Sequence, residues 1–417
     1  MTLPTSAASI VGWAESSRLT GACVVGLEDS AHPTRLDRRL SARGRWSRFL
    51  KTWRCDGRDN TQSSPRQTNY ALSRPRRMKG GARRVLLWSL GFYALSALAL
   101  NLVMDRWCPN MFASLYRAKW TGLCRLTAES PERPLVVMLG SSRADGNFQA
   151  GRLDGLPDPD GQPLAAYNFG VPKAGHIHEY LYLRELLDKG IRPRLLLVEI
   201  LPPLLNDSHS RLAFEESWLD PEWLNVRQFA RMAPYFIHPV RKGEAWIAAR
   251  VAPWYAFRSV LPASPLFPWT SPIASWRDPY PRDRWGCRIP EPLTPAERAR
   301  RWQITRQYIP SLKRFRLSAK SAQATRDLLA RCREEQIPVA LVLAPESREF
   351  RGWYSPQARA AIKNYLAELQ ADYGVEIIDA SAWVEDDDDF MDGHHLNDSG
   401  ATKFTTRLLA EVQRLLR

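Results

Sequence analysis

PLVVMLGSSR, residues 134–143, decides the fold. Pro134–Leu139 is an unbroken apolar run, closed by Gly140 and followed by two serines. A strand with one wet face alternates apolar and polar residues; unbroken apolarity suits a strand buried on both faces of a parallel sheet. Four more short, largely apolar runs follow. They are Ala165–Phe169, ending in Gly170, then Leu195–Leu201 (LLLVEIL), Val339–Ala344 (VALVLA) and Val375–Ile378 (VEII). Helical patterns separate them: His176–Lys189 closed by Gly190, Ala319–Gln336, Pro356–Tyr373, and Ser399–Leu416 with Leu408, Leu409, Val412, Leu415 and Leu416 on one stripe. Strands alternating with helices predict an α/β fold, here a flavodoxin-like three-layer α/β/α arrangement on a five-stranded parallel sheet.

Upstream, Val85–Met104 (VLLWSLGFYALSALALNLVM) has no charged residue over twenty positions. At 1.5 Å per residue it makes ~30 Å of helix, the thickness of a bilayer's hydrocarbon layer. Arg76, Arg77, Lys79, Arg83 and Arg84 precede it, whereas Asp105 and Arg106 follow. This asymmetry predicts a cytoplasmic N-terminus and an extracytoplasmic, periplasmic domain after about residue 105. Ala97-Leu98-Ala99 has the form of a signal-peptidase site, but the apolar run continues five residues past it, which favours a retained anchor.

The net charge of +15 sits mostly ahead of this segment. Residues 1–84 carry 17 Lys/Arg against 6 Asp/Glu, or +11, so the other 333 residues hold only +4. A nucleic-acid-binding face on the folded part is therefore not implied. Residues 1–84 read as a basic arm, the first 77 without sustained apolar period. Met78 opens MKGGARR directly before the apolar run, an export-type layout, and the expectation is that the natural start is Met78.

Six scattered cysteines include no C-x-x-C pair, which leaves a zinc ribbon unsupported. Cys108 and Cys124 are candidates for a disulfide if their compartment is oxidising, with free thiols as the alternative. Residues 205–318 break the α/β rhythm and contain eight tryptophans, so they read as an insertion in the domain 105–417. Two uses are open for these tryptophans: a cap stacking on sugar rings, or packing of the segment onto the domain or the membrane surface. Packing is favoured for most of them.

Two places carry chemistry. Gly140-Ser141-Ser142-Arg143 turns sharply at the carboxyl end of a buried strand, where open α/β sheets bind ligands. Asp392-Gly393-His394-His395 lies between the fifth strand and the last helix. An Asp three residues before a His can bond its Nδ1 and leave Nε2 to exchange a proton with a serine. Asn397 and Ser399 are candidate caps for the last helix. A G-x-S-x-G elbow is ruled out by Ala144. Asp392, His394 and His395 offer metal-ligand chemistry, but adjacent histidines on one turn rarely converge on one ion, and no metal or other cofactor is expected. His176 and His178 read as surface or interface residues, and Glu385–Asp389 as a solvated acidic loop.

Together these motifs resemble the SGNH, or GDSL-like, serine hydrolase family over about residues 134–200 and 337–417. Gly140 and Ser142 match its Gly-x-Ser turn, Asn168-Phe169-Gly170 its second block, and Asp392, His395, Asn397 and Gly400 its last block. The resemblance implies Ser142 as nucleophile, His395 as general base and Asp392 as its orienting carboxylate. It also implies an oxyanion hole from the N–H groups of Ser142 and Gly170. Ser141 stands where the family usually has Asp, which looks like its exported, polysaccharide-modifying O-acyltransferase and esterase branches. The third block departs: Leu201-Pro202-Pro203-Leu204-Leu205-Asn206 replaces Gly-x-Asn, so Asn206 is a displaced candidate for the third donor. Ser141, Arg143 and Glu346, the last in Pro345-Glu346-Ser347 after the fourth strand, are candidate substrate contacts. The implied function is a membrane-anchored esterase or acyltransferase acting on O-acyl esters of a cell-envelope or exported polysaccharide. The alternative is a catalytically silent glycan-binding or assembly factor that partners an integral-membrane acyltransferase.

Overall fold

Buried apolar side chains bring five strands into one parallel sheet. A computed structural model describes residues 80–107, 114–207, 215, 220–257, 281–290 and 292–417. The strands are β1 (Leu135–Gly140), β2 (Ala165–Gly170), β3 (Leu195–Ile200), β4 (Val339–Leu343) and β5 (Glu376–Asp379). Their order is β2-β1-β3-β4-β5, with every pairing parallel. The order reverses direction at β1, between β2 and β3, which makes the carboxyl end of β1 the topological switch point.

Alternate residues of the central strands feed two separate cores. Val137, Leu139, Leu196, Val198 and Leu341 join one; Val136, Met138, Leu195, Leu197, Ala340 and Val342 join the other. The first is covered by α2 (Ser114–Glu129), α4 (His176–Asp188), α10 (Ala319–Glu334) and α12 (Pro356–Tyr373). The second is covered by α3 (Ser142–Asn147) and α13 (Asp398–Leu416). The three-layer α/β/α expectation therefore holds. In α13, Phe404, Leu408, Val412 and Leu416 are buried on one stripe, each contributing about 1.5–3 kcal/mol. Asn397 is its N-cap, accepting the Gly400 N–H at 3.0 Å.

The apolar segment forms α1 (Gly80–Trp107). Over Gly80–Asp105 it is long and apolar enough to cross a membrane, with a mean hydropathy of 1.7. The Pro/Trp-rich segment is more regular than its sequence suggests. It contains α5 (Val226–Met232), α6 (Pro239–Val251), α7 (Pro253–Ala256), α8 (Pro295–Thr305) and α9 (Ile309–Lys313). A last short helix, α11 (Arg348–Gly352), follows β4. Trp246 stacks on Phe229 and donates to Leu224 O at 2.9 Å, while Trp254 meets Tyr93 edge-on. The basic arm, the proposed start at Met78 and Cys108 lie outside the described residues, and Cys124 is a half-buried free thiol.

His176 corrects an expectation: it is fully buried beside Glu179, because α4 turns that face into the domain rather than to solvent. His178 is half-buried against Glu215, whose carboxylate also accepts the N–H groups of Ile177 and His178 at the start of α4. The acidic loop is only partly solvated, since Asp389 is buried and paired with Lys403 at 2.6 Å.

Gly170 lets β2 touch α3. A Cβ there would sit 2.3 Å from the Asp145 backbone nitrogen and 2.8 Å from its Cα, with no flexible atom to give way. Gly170→Ala is expected to cost about 1–3 kcal/mol through overpacking. Urea unfolding measures it, and an unchanged midpoint would contradict this approach of strand and helix.

Candidate active site

The site begins at the end of β1. Ser141 is the N-cap of α3: its hydroxyl accepts the Arg143 N–H at 3.1 Å, and its own N–H donates to Glu199 Oε2 at 2.7 Å. This leaves Ser142 as the first residue of α3, where a backbone N–H has no intrahelical acceptor.

Far along the chain, Asp392–His395 makes a tight turn. Met391 N–H donates to His395 O at 2.8 Å, Phe390 bridges Leu396, and Gly393 adopts φ +81°, which a side chain would strain. Two bonds hold the turn against the rest of the domain: Ser347 N–H to Gly393 O at 2.8 Å and Leu396 N–H to Asn147 Oδ1 at 3.0 Å. The second ties the turn directly to α3.

The turn delivers His395 to Ser142. Nε2 lies 2.8 Å from Ser142 Oγ, and Nδ1 lies 2.8 and 2.9 Å from the two Asp392 carboxylate oxygens. Asp392 Oδ1 also accepts the His395 N–H at 2.9 Å. Burial works to raise the Asp392 pKa, but the attraction of His395 and His394, with the hydrogen bonds from His395, outweighs it and holds the carboxyl below its usual range. Asp392 is therefore an anion in a desolvated place. His394 is different: burial drives its pKa well down despite Asp392, and its ring packs on Phe350 and Tyr308 with centroids at 5.1 and 5.5 Å.

A cavity of about 170 Å³ opens on the serine, lined by Ser141, Ser142, Arg143, Lys173, Leu201, Pro203, Leu204, Tyr308 and His394. Lys173 occupies a turn in which Ala174 N–H bonds back to Val171 O at 2.9 Å, and it holds φ 72°, uncommon for a residue with a side chain. Burial pushes the Tyr308 hydroxyl up to about 12, so it stays neutral.

The structure brings Ser142, His395 and Asp392 together and disposes of other candidates differently. Gly170 does not offer a vacant donor, because its N–H is bonded to Asn168 Oδ1 at 2.9 Å. Asn206 is engaged away from the serine: Nδ2 donates to Ser311 O at 2.7 Å and Oδ1 accepts Arg316 N–H at 3.1 Å, pinning the post-β3 loop to α9 and the link that follows it. Arg143 and Glu346 are not placed to greet a substrate with their charges. They are buried and paired at 3.1 Å, with Arg143 also 3.3 Å from Glu199 and donating to Ala344 O at 2.6 Å. Ser141 lines the cavity, but its hydroxyl is the helix cap.

Sequence reasoning missed Lys119 and Asp145, and named Asn168 only as part of the second block, without a role. Lys119 Nζ is 2.6 Å from Asp145, both fully buried, and donates to Asn168 O at 2.9 Å; Arg282 meets the same carboxylate at 2.8 Å. Asn168 Nδ2 donates to Ala144 O and Phe148 O, both at 2.7 Å. Tyr308, from the insertion, was also missed, whereas Trp302, one of the eight tryptophans noted there, stands beside Gly393. Among the described residues one group could hold a metal ion: ligand atoms of Asp392, His394 and His395 lie within 4.8 Å of one another, closer than the sequence argument allowed. Both His395 ring nitrogens are already bonded, to Asp392 and Ser142, so an ion would compete with that chain of hydrogen bonds.

Comparison with known proteins gives distant likenesses. A family model for an uncharacterised family matches residues 309–417, about a quarter of the chain. No curated protein matches. Among solved structures, a gut microbial diltiazem-metabolizing enzyme is similar at 12% identity and a TM-score of 0.30, over 68% of this chain and 47% of its own. An inhibitor-bound aryl esterase from M. smegmatis is similar at 9% identity and 0.28, over 68% of this chain and 99% of its own. Est24, a carbohydrate acetylesterase from Sinorhizobium meliloti, is similar at 11% and 0.27, over 68% and 100%. This chain thus spans about half the length of the first of these. Nothing functional follows from likenesses so remote.

Because the folded-state pKa of His394 is depressed, the unfolded chain takes up a proton below about pH 6.5 that the folded chain refuses. Stability is therefore expected to fall as pH drops from 7.5 to 5.5. His394→Phe, whose ring suits the contact with Phe350, should flatten part of that slope in urea titrations at the two pH values. An identical slope in the variant would show that His394 does not titrate between the two states.

Proposed function

We propose that this chain is a membrane-anchored serine esterase or O-acyltransferase of the SGNH type, acting on O-acyl esters of a cell-envelope or exported polysaccharide. The observation that carries the reading is the unbroken line Asp392–His395–Ser142, with each link at 2.8 Å.

On this reading Ser142 Oγ attacks the acyl carbonyl carbon and its proton passes to His395 Nε2. The tetrahedral adduct collapses, the C–O bond to the alcohol breaks, and His395 returns the proton to the departing alkoxide. Water or a sugar hydroxyl then attacks the acyl-Ser142 ester, giving its proton to His395, and Ser142 leaves reprotonated. Asp392, kept anionic, offsets the charge that His395 gains. The cavity of about 170 Å³ suits a short acyl group such as acetyl. With Gly170 and Asn206 engaged elsewhere, the oxyanion is stabilised by the Ser142 N–H, the donor left at the cavity. The apolar α1 tethers the domain to the membrane, with the N-terminal side cytoplasmic and the catalytic domain periplasmic.

One observation favours a second reading. Two of three expected oxyanion donors are occupied, which suits a catalytically silent, glycan-binding assembly factor partnering an integral-membrane acyltransferase. A fluorophosphonate probe separates the two: modification of Ser142 in folded protein is expected, and its absence would favour the silent factor. Ser142→Ala and His395→Ala should each abolish turnover of a chromogenic acetyl ester, and Asp392→Asn should lower kcat on the order of 10⁴-fold.

A further inference from the structure

The end of α6 is placed where water would be scarce. Tyr93 and Asn101 belong to the apolar stretch of α1, Tyr93 near its middle and ~12 Å along the helix from Asn101. Both side chains donate to the last carbonyls of α6: Tyr93 Oη to Val251 O at 2.9 Å and Asn101 Nδ2 to Arg250 O at 2.7 Å. Those carbonyls have no intrahelical partner, and in hydrocarbon each must be satisfied within the protein. The Arg250 guanidinium meets Asp105, at the polar end of α1, at 2.8 Å. Such a reach toward the polar boundary is how a long cation tolerates a place beside lipid.

The rest of α6–α7 matches. Arg241, Lys242 and Glu244 lie at the start of α6, whereas Ala245–Phe257 contains Arg250 as its single charge. Ile247, Val251 and Tyr255 are exposed, at 56%, 54% and 65%, though they sit in helices adjoining α1. Leu95, Leu98 and Leu102 of α1 are similarly bare, at 66%, 56% and 60%. Two apolar surfaces joined by polar contacts at matched depth share one surrounding medium.

We propose that α6 and α7 form a re-entrant wedge in the bilayer leaflet nearest the catalytic domain, with lipid acyl chains against Ile247, Val251 and Tyr255. This rests on α1 crossing the membrane. The wedge gives the domain a second point of attachment, so the serine is held at a set height and orientation above the surface rather than swinging on one helix.

The full chain, in the membranes of the expressing cell, carries the photo-crosslinker p-benzoylphenylalanine at position 247, 251 or 255, or at Ile304, an exposed apolar residue of α8. Irradiation and mass spectrometry are expected to find lipid adducts at the first three positions and none at 304. Extraction at alkaline pH tests the anchor separately: release of the chain would overturn the reading of α1 itself. Retention of the chain with no lipid adduct, or with protein adducts in its place, would overturn the wedge alone. For any position whose variant fails to fold, brominated-lipid quenching of the wild type against Trp254→Phe supplies the same test. A lower quenchable fraction in that variant is expected, and an equal one counts against the wedge.

Discussion

A six-residue helix cannot hold itself together in water, yet α3 has to present Ser142 to within hydrogen-bond length of a histidine 253 residues away. The structure solves this with polar spokes. Arg143 reaches Glu199 on β3 and Glu346 beyond β4; Asp145 reaches Lys119 on α2 and Arg282 in the insertion; Asn147 accepts the Leu396 N–H of the histidine turn. Asn168, from β2, bonds the helix's own carbonyls at Ala144 and Phe148. Every neighbouring element has a hand on α3, and none of these contacts is apolar.

Such an arrangement is chosen for definition rather than for stability. Burying Lys119, Asp145, Arg143, Glu199 and Glu346 carries large desolvation costs that their mutual attraction only offsets. Apolar side chains of similar volume would pack about as well but would allow α3 to slide. Ion pairs and carboxamide bonds in a dry environment are short-ranged and directional, so a shift that breaks one leaves a charge unpaired. The lowered pKa of Lys119, which follows from burial against the pull of Asp145, reflects the same tension.

The sheet and its covering helices were legible because burial on both faces writes an unbroken apolar pattern into the chain: β1, β2 and β3 start within a residue of their expected positions, and α12 has the expected bounds. The serine and histidine stood out because each follows a strand at the same sheet edge. Their fastenings were not legible. Lys119 lies in an amphipathic stretch that reads as an ordinary surface helix, and nothing local distinguishes it from Lys189. Arg143 and Glu346 were assigned to substrate because charged residues at a cleft usually face solvent; only the fold reveals that they face each other. The helices of the insertion did leave a signal: Thr294-Pro-Ala-Glu297 is a capping box, formed as such at the start of α8. Asn225–Gln228 is a second, at α5. The density of proline and tryptophan obscured both.

The same rule governs both ends of the molecule. Where water is excluded, a backbone group without a partner is costly, by about 1–3 kcal/mol or more, so its partner identifies its surroundings. At the start of α3 the Ser141 hydroxyl and Glu199 take the first donors, leaving the Ser142 N–H beside a small cavity. At the end of α6 the acceptors are satisfied by Tyr93 and Asn101, side chains that would otherwise be misfits in an apolar helix. A helix end in water needs no such help. That Tyr93 and Asn101, within the apolar stretch of α1, both bond the end of α6 is the strongest reason to regard anchor and insertion as one device, with the serine's position relative to the bilayer fixed by both.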